Sequence, residues 1–230
     1  MAAQEHTVFI SRELSADSAF RQILQAAGWQ LTGFSLIEFE AVPFAELPEA
    51  DWLFFYSPRA VRFFRKGIEL PARPAYRIAA VGPGTARALA QAGIPVDFAG
   101  TGVPEETAAA FARTAEGQRV VFPQARNSRQ SVQRLLAGRI QAIPLVVYEN
   151  FPRQEFPQPN ARVLVFTSPM NVRAYCSRYP FRPGQGLVAI GQPTAEAIRA
   201  QGREPAVADE PSEEGLARAV LNLGSDFSGF

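Results

Sequence analysis

Short apolar runs alternate with amphipathic stretches along most of the chain. The runs that we predict to be strands are residues 8–10, 34–39, 52–56, 77–81, 120–122, 143–148, 163–166 and 187–190. Most are followed by a turn of Ser, Thr, Pro or Gly and then by a helical pattern, as in 18–27 and 128–137. Strand, turn and helix in alternation predict βαβ units, and therefore parallel sheets covered by helices on both faces.

An internal repeat divides the chain into two copies of a unit of about 110 residues. Three pairs of segments match at this offset: 8–12 with 121–126, 55–61 with 166–172, and 80–89 with 189–198. The second pair shares Ser-Pro, and the third shares Gly-x-x-Thr-Ala. The repeat predicts two similar α/β domains rather than one continuous sheet, with about four strands in each copy.

Two stretches rich in proline, 38–51 and 149–161, are predicted to be extended passages of the chain. Proline disfavours helix and stiffens an extended path. The pattern alone leaves open whether the first half of each copy folds with the second half of its own copy or with that of the other.

Composition removes most familiar catalytic chemistry. The chain has one histidine (His6), one cysteine (Cys176) and one lysine (Lys66) beside 22 arginines. One histidine and one cysteine do not make a zinc site. His6 lies where chains fray, which argues against a Ser-His-Asp site, and Lys66 is not followed by the Ser or Thr of a P-loop. Catalysis would therefore use hydroxyls, carboxylates, backbone amides and arginines.

Charge and hydropathy describe the expected setting. A net charge of +1 lacks the basic footprint of a nucleic-acid-binding domain. No apolar run approaches the ~18 residues of a membrane span, and the polar residues 1–7 contain no signal-peptide core. A single cysteine excludes an internal disulfide and suits a reducing compartment. We expect a cytoplasmic protein with neither nucleic-acid nor membrane partners.

The repeated turns stand where parallel sheets bind ligands, beyond the carboxyl ends of strands. The hydroxyls of Ser57-Pro58 and of Thr167-Ser168-Pro169 would either cap the following helices or bind an anion at the helix N-termini. In the other pair of turns, glycine lets a ligand approach the backbone and threonine adds a hydroxyl. The residues of that pair are Gly82, Gly84 and Thr85 in the first copy, and Gly191 and Thr194 in the second.

Arginines also stand at strand ends or just beyond. They are Arg12, Arg59, Arg62, Arg126 and Arg129, with Asn127 beside Arg126. Either they are solvated surface, or they hold a ligand with several carboxylates, which guanidinium binds bidentately. Tyr148 ends an apolar strand, so its ring is expected to be buried and its hydroxyl to reach water or a ligand.

The order of these motifs resembles the uroporphyrinogen-III synthase family over nearly the whole chain. The resemblance rests on Ser-Arg after the first strand, Ser-Pro-x-Ala-Val, Val-Gly-x-x-Thr-Ala, Phe-Pro with arginine, Val-Tyr, Thr-Ser-Pro, and Ile-Gly-x-x-Thr-Ala. It implies a monomeric, cofactor-free cytoplasmic enzyme with two similar domains, each a parallel sheet flanked by helices, joined by a two-stranded linker. One domain would comprise residues 1–37 and 152–230 and the other 38–151, with the substrate in a cleft between them.

The family substrate is hydroxymethylbilane, a linear tetrapyrrole with eight carboxylates. The resemblance implies a lyase that removes its hydroxyl, inverts the last pyrrole ring and closes uroporphyrinogen III, whereas closure without the enzyme yields isomer I. By the resemblance, Tyr148 would assist departure of the hydroxyl, mainly by orienting it. The family often has Thr two residues after this tyrosine, where this chain has Asn150. The implied substrate-binding residues are Arg12, Ser57, Pro58, Gly82, Gly84, Thr85, Arg126, Asn127, Thr167, Ser168, Pro169, Met170, Asn171, Gly191 and Thr194.

Two other functions are compatible with parts of this pattern. A non-catalytic sensor that binds a small polyanion would use the same turns. A nucleotide-binding enzyme is weakly supported, because the third glycine of a dinucleotide fingerprint would fall at Arg87 and no P-loop lysine is present.

Overall fold

A computed structural model of the chain describes residues 6–68 and 75–226, and there the predicted alternation of strands and helices is present. The strands are β1 (Thr7–Ile10), β2 (Gln30–Gly33), β3 (Ile37–Ala41), β4 (Trp52–Phe55), β5 (Arg77–Ala80), β6 (Phe98–Ala99), β7 (Arg119–Ala125), β8 (Gln141–Pro152), β9 (Val163–Phe166), β10 (Gly186–Ala189) and β11 (Ala206–Val207). The helices are α1 (Ala19–Ala26), α2 (Pro58–Gly67), α3 (Pro83–Gln91), α4 (Pro104–Ala115), α5 (Ser131–Leu135), α6 (Pro169–Cys176), α7 (Gln192–Arg199) and α8 (Glu213–Asp226). None of these helices is long and apolar enough to cross a membrane.

The chain divides into two compact units. Unit 1 is built from the segment that ends at Glu38 and the segment that starts at Phe151, and unit 2 is built from Phe39–Asn150. Each unit has its own sheet. The chain leaves and re-enters unit 1 within β3 and β8, which are neighbours in the sheet of unit 2. The first half of one copy therefore folds with the second half of the other.

Unit 1 contains five strands in the order β11-β10-β9-β1-β2, and all of its strand pairs are parallel. Every residue of β9 and β10 is buried, as expected for strands covered on both faces. On one face α1 and α8 pack Phe20, Leu24 and Leu216 against the sheet. On the other face α6 and α7 contribute Tyr175 and Ile198.

Unit 2 contains six strands in the order β3-β8-β7-β4-β5-β6. The pairs from β8 to β6 are parallel. Phe63 and Phe64 of α2 cover one face. On the other face, Phe111 of α4 meets the rings of Trp52 and Phe54 edge-on, at centroid distances of 5.1 and 5.0 Å.

The short edge strands are the main part of the fold that the hydrophobic pattern did not predict. The unpredicted strands are β2, β6 and β11, two of which have only two residues. None contains a fully buried residue, so an apolar run does not mark them. With them the two copies have six and five described strands, and the prediction of about four in each was too low.

Local backbone geometry also displaced two predicted boundaries. The strand predicted at 34–39 begins at Ile37, because Ser35 forms a turn in which its hydroxyl donates to the Ile37 carbonyl and accepts from the Ile37 amide. The helix predicted at 128–137 contains only Ser131–Leu135. It starts late because Gln130, with φ of 52°, is in the left-handed conformation, which does not continue a helix.

The aromatic cluster around Phe111 should dominate the stability of unit 2. Phe111 is fully buried, so we expect Phe111→Ala to lower the free energy of unfolding by about 3–5 kcal/mol, through lost apolar contact and the remaining cavity. Leu135→Ala is the control, because this leucine is 47% exposed and its truncation should cost less than about 0.5 kcal/mol. Chemical denaturation followed by circular dichroism measures both. Equal losses would contradict a packing role for Phe111.

Candidate functional site

The Ser-Pro and Gly-x-x-Thr turns lie at the carboxyl edges of the two sheets. In unit 2, Ser57 follows β4 and Gly82 follows the adjacent strand β5. In unit 1, Ser168 follows β9 and Gly191 follows the adjacent strand β10. Each unit therefore presents one Ser-Pro turn and one glycine turn side by side, each at the start of a helix.

Both serines cap helices. The Ser57 hydroxyl accepts from the Ala60 amide and the Ser168 hydroxyl from the Asn171 amide, each at 3.2 Å. Pro58 and Pro169 occupy the first helical position, where no amide hydrogen is needed. Of the two roles predicted for these hydroxyls, helix capping and anion binding, capping is therefore present at both turns.

The two glycine turns leave their helix N-termini without a side-chain cap. Gly82 and Gly191 are the cap residues of α3 and α7, and neither helix has a side-chain cap hydrogen bond. The side chains of Thr85 and Thr194 are almost fully buried one turn in. The Thr85 and Thr194 amides donate to the carbonyls of Gly82 and Gly191, at 3.1 and 3.0 Å. The positive end of the helix dipole at an N-terminus without a side-chain cap suits a carboxylate.

The two cap glycines differ in the space around them. A Cβ on Gly82 would lie 2.7 Å from Cα of Gly102, so this turn packs against its own chain. A Cβ on Gly191 would meet no atom of the described residues within 4 Å, and the φ of Gly191, 178°, is extended backbone that any residue adopts. A Cβ on Gly84 would meet only the end of Arg87, at 4.0 Å. The open space over Gly191 and Gly84 is where a ligand could approach the backbone.

Tyr148 contributes to a pocket of about 320 Å³ in unit 2, which we call the Tyr148 pocket. It lies beyond the carboxyl ends of β4 and β7. It brings together three predicted site residues, Tyr148, Ser57 and Asn127. Two of the arginines noted near strand ends, Arg59 and Arg129, also line it. The remaining lining residues are Phe39, Tyr56, Ala60, Gln124, Ala125, Ser128, Gln130, Ser131 and Asn150.

The orientation of Tyr148 depends on a β-bulge. Gln124 of β7 pairs with Val146 of β8, but the next residue, Ala125, pairs with Tyr148, so Val147 has no partner on β7. In a regular strand Val147 and Tyr148 would face opposite sides, yet both pack into one cluster. Tyr148 is 9% exposed, and its ring stacks on Phe63 at a centroid distance of 5.1 Å.

The arginines divide into those near the Tyr148 pocket and those engaged elsewhere. Arg59 lies over the Phe39 ring, 3.8 Å from its centroid, which fixes a guanidinium at the pocket wall. Arg126 bonds Glu149 at 2.7 Å and does not line the pocket. In unit 1, Arg12 lies 3.9 Å from a Glu213 oxygen. Arg62 lies over Phe63, with 5.1 Å between its guanidinium carbon and the ring centroid.

At the carboxyl edge of unit 1, Thr167 and Asn171 form a hydrogen-bonded group with Ser11. The Thr167 amide donates to the Ser11 hydroxyl at 2.9 Å, and the Thr167 hydroxyl donates to the Ser11 carbonyl at 3.2 Å. The Asn171 amide group donates to the Ser168 hydroxyl at 3.0 Å, while its buried oxygen Oδ1 has no partner among the described residues. Met170 lies in the same helical turn. These contacts hold the Thr167-Ser168 turn rigid.

The largest pKa shifts with a value among the described residues are those of Tyr56 and Cys176, and both shifts disfavour the charged form. Burial raises the pKa of Tyr56 to about 12, although its hydroxyl donates to the Gln133 side chain and accepts from the Gln133 amide. Burial raises the pKa of the Cys176 thiol to about 11, so at neutral pH it is not a thiolate nucleophile. Among residues 6–68 and 75–226, no three His, Cys, Asp or Glu side chains form a metal-binding group.

Gln124, Tyr56 and Asn150 line the pocket but were not among the predicted site residues. The apolar run that marks β7 ends at Phe122, whereas the strand continues to Ala125. Gln124 therefore lies beyond the predicted strand, where the pattern carries no signal for burial. Tyr56 was counted only as the last residue of a strand, and Asn150 only as a departure from the motif after Tyr148.

Comparison with known proteins relates the chain to one enzyme family. The family model described as uroporphyrinogen-III synthase HemD matches residues 18–218. The structure is similar to uroporphyrinogen-III synthetase from Helicobacter pylori, with a TM-score of 0.71 and 22% identity over 95% of this chain and 99% of that one. It is also similar to a mutant uroporphyrinogen III synthase from the extremely thermophilic bacterium Thermus thermophilus, with a TM-score of 0.52 and 19% identity over 96% and 99%. No curated protein sequence matches the chain.

The contrast between Gly82 and Gly191 predicts different effects of the same substitution. We expect Gly82→Ala to lower the free energy of unfolding by about 1–3 kcal/mol, because the added methyl overlaps the backbone of Gly102. Gly191→Ala should change it by less than about 0.5 kcal/mol, because the methyl enters open space. Chemical denaturation of both variants checks this. A loss at Gly191 as large as that at Gly82 would show that the chain itself fills the space over Gly191.

Proposed function

The chain belongs to the uroporphyrinogen-III synthase family, and from that premise we propose which of its residues serve the reaction. It is a cyclising lyase that converts hydroxymethylbilane into uroporphyrinogen III, with loss of water and inversion of the last pyrrole ring. The fold, parallel sheets flanked by helices, is that of the solved synthases.

The Tyr148 pocket is the observation from which we infer where the reacting end of the substrate binds. We propose that the Tyr148 phenol donates a hydrogen bond to the hydroxyl that leaves hydroxymethylbilane. Stacking on Phe63 and contact with Phe39 hold the ring in place, so the hydroxyl direction is set before the substrate arrives. A phenol is a weak acid at neutral pH, so the contribution is orientation more than proton transfer.

The carboxylates need fixed positive charge and amide hydrogens. We propose that the uncapped N-termini of α3 and α7 bind them through the turns of Gly82, Gly84 and Thr85 and of Gly191 and Thr194, supported by the open space over Gly191. At the serine turns, the proposed partners are Ser57, Pro58, Thr167, Ser168, Pro169, Met170 and Asn171. Asn127 with Arg59 and Arg129 would serve the pocket itself.

Arg12 and Arg126 have a lesser part in this proposal. Each is close to a glutamate, Glu213 or Glu149, and would exchange that partner for a substrate carboxylate. Both arginines are about half exposed, so the exchange costs little.

These residues are suited to directing the ring closure of the substrate rather than to strong acid or base catalysis. Once the hydroxyl has left, the electrophile closes readily, and without guidance it yields isomer I. An aromatic wall and fixed hydrogen-bond donors restrict the last ring to one approach and reduce contact with water. We also propose a monomer in the cytoplasm, consistent with a single free cysteine; sedimentation of the purified protein tests the monomer.

The isomer assay tests the activity directly. We expect the purified protein, mixed with freshly generated hydroxymethylbilane, to give mainly isomer III after oxidation and separation of the products. A protein-free reaction is the control and should give isomer I. Product identical to that control would contradict the synthase activity, and tight binding without turnover would indicate the sensor function instead.

Tyr148 and Ser57 should separate catalysis from capping. We expect Tyr148→Phe to lower kcat by about tenfold or more, since it removes the hydrogen bond to the leaving hydroxyl and keeps the stacked ring. Ser57→Ala should instead lower the free energy of unfolding by about 1 kcal/mol through loss of the cap, with a smaller loss of turnover. Steady-state kinetics and denaturation of both variants measure this. Equal or reversed losses of kcat would remove Tyr148 from the mechanism.

A further inference from the structure

The Tyr56 hydroxyl connects the end of β4 to the short helix α5. It donates to Oε1 of Gln133 and accepts from the Gln133 backbone amide, both at 3.1 Å. Gln133 is buried and is the third residue of α5, so its amide has no acceptor within the helix. Gln130, which precedes α5, makes no side-chain cap hydrogen bond. Tyr56, 77 positions earlier in the chain, therefore supplies the cap of this helix.

The loop between β7 and α5 contains an unfavourable backbone conformation. Gln130, with φ of 52°, is the only non-glycine residue of positive φ among residues 6–68 and 75–226. A residue other than glycine keeps the left-handed conformation only where its surroundings hold it. On the β7 side, the Arg126 amide donates to the Tyr148 carbonyl at 2.9 Å. On the α5 side, the hydrogen bonds between Tyr56 and Gln133 hold the chain.

Residues 127–130, which we call the pocket loop, all line the Tyr148 pocket. Two of them, Asn127 and Arg129, carry hydrogen-bond donors, and the guanidinium of Arg129 suits a carboxylate. A donor that is already in place when the ligand arrives binds more tightly than one that must first be ordered, because ordering a loop costs conformational entropy. The position of the pocket loop should therefore influence the affinity for the substrate.

The other copy of the repeat has a similar connection. Thr167 stands before its Ser-Pro turn as Tyr56 stands before the first one, and its hydroxyl donates to the Ser11 carbonyl at 3.2 Å. Ser11 follows β1, the neighbour of β9, and α5 follows β7, the neighbour of β4. In both copies, the residue before Ser-Pro thus binds the segment that follows the adjacent strand. The longer tyrosine reaches across the pocket loop to the helix.

We propose that Tyr56 is a positioning residue of the synthase, which fixes the pocket loop through Gln133 and so places Asn127 and Arg129 for the carboxylates of the ring beside Tyr148. Tyr56 has a pKa of about 12, so it stays protonated at neutral pH and keeps its bond to Oε1 of Gln133. Its single hydrogen is used there and is not available to the substrate. The inference rests on the proposed function, because it needs a polycarboxylate substrate in the Tyr148 pocket.

Tyr56→Phe removes both hydrogen bonds to Gln133 and keeps the ring packed against Phe54 and Phe122. We expect KM for hydroxymethylbilane to rise by about five- to tenfold, because binding must then order the pocket loop. We expect kcat to change by less than about twofold, because the groups beside the leaving hydroxyl are kept. Tyr148→Phe should show the opposite division, with the loss in kcat. Steady-state kinetics measures both variants.

Hydrogen exchange tests the connection without any substrate. In Tyr56→Phe, the amides of residues 127–133 should exchange faster than in the wild-type protein, because the pocket loop opens more often. Mass spectrometry of peptides from this segment measures the rates. Peptides from unit 1 should exchange as in the wild-type protein, since the substitution does not touch that unit.

Tyr179→Phe is the matched control, because this half-buried tyrosine of unit 1 also donates its hydroxyl, to the Phe156 carbonyl at 2.7 Å. Both variants should lower the midpoint of thermal unfolding, since each loses a hydrogen bond. Only Tyr56→Phe should raise KM and speed exchange in residues 127–133. An equal rise of KM in both variants would attribute the effect to lost stability and overturn the inference.

Gln133→Met tests the connection from its other side, because it removes Oε1 and keeps Tyr56. KM should rise in this variant too, and the double variant with Tyr56→Phe should be no weaker than Tyr56→Phe alone, since both changes break one connection. Additive effects on KM would overturn the inference, as would wild-type KM and exchange in Tyr56→Phe. If the wild-type protein itself yields only isomer I, the proposed function fails, whereas the exchange measurement still decides whether Tyr56 holds the loop.

Discussion

Parallel pairing of strands is the interaction that organises both units of this structure. Because the hydrogen-bonded strands of each ladder run in the same direction, their carboxyl ends reach the same edge of the sheet. A strand such as β4 or β9, which continues to a parallel neighbour in its own sheet, is followed by a turn and a helix that returns to the other edge, so helix N-termini collect where these strands end. The chain thereby gains an edge lined with amides and hydroxyls in each unit.

The polar groups near that edge differ in whether they have hydrogen-bond partners within the chain. Ser57, Ser168 and Thr167 are held by hydrogen bonds within the chain, which makes the turns rigid. The N-termini of α3 and α7 have no side-chain cap, and the oxygen of Gln124 has no partner among the described residues. Rigid turns and helix N-termini without a side-chain cap are the features on which the proposed binding of a flexible tetrapyrrole rests.

Much of the fold and part of the site could be predicted from the sequence. Buried strands such as β4 and β9 are marked by apolar runs, and the serine turns follow them directly. Edge strands such as β2 are largely exposed and carry no such signal. Gln124 was missed because its burial comes from the extension of β7 beyond β4. The bulge that turns Tyr148 toward Phe63 has no signature in the residues either.

Patterns along the chain were enough to establish the α/β class, the duplication, the position of the turns and the family, because these depend on periodicity and on short motifs within one stretch of residues. Three-dimensional packing was needed to establish which half of each copy joins which, since strand pairing over long separations is set by packing. It was also needed to show that Gly82 packs against Gly102 while Gly191 faces open space, although both stand in the same motif. Burial and hydrogen-bond satisfaction belong to neighbours in space, and the linear order of residues does not specify them.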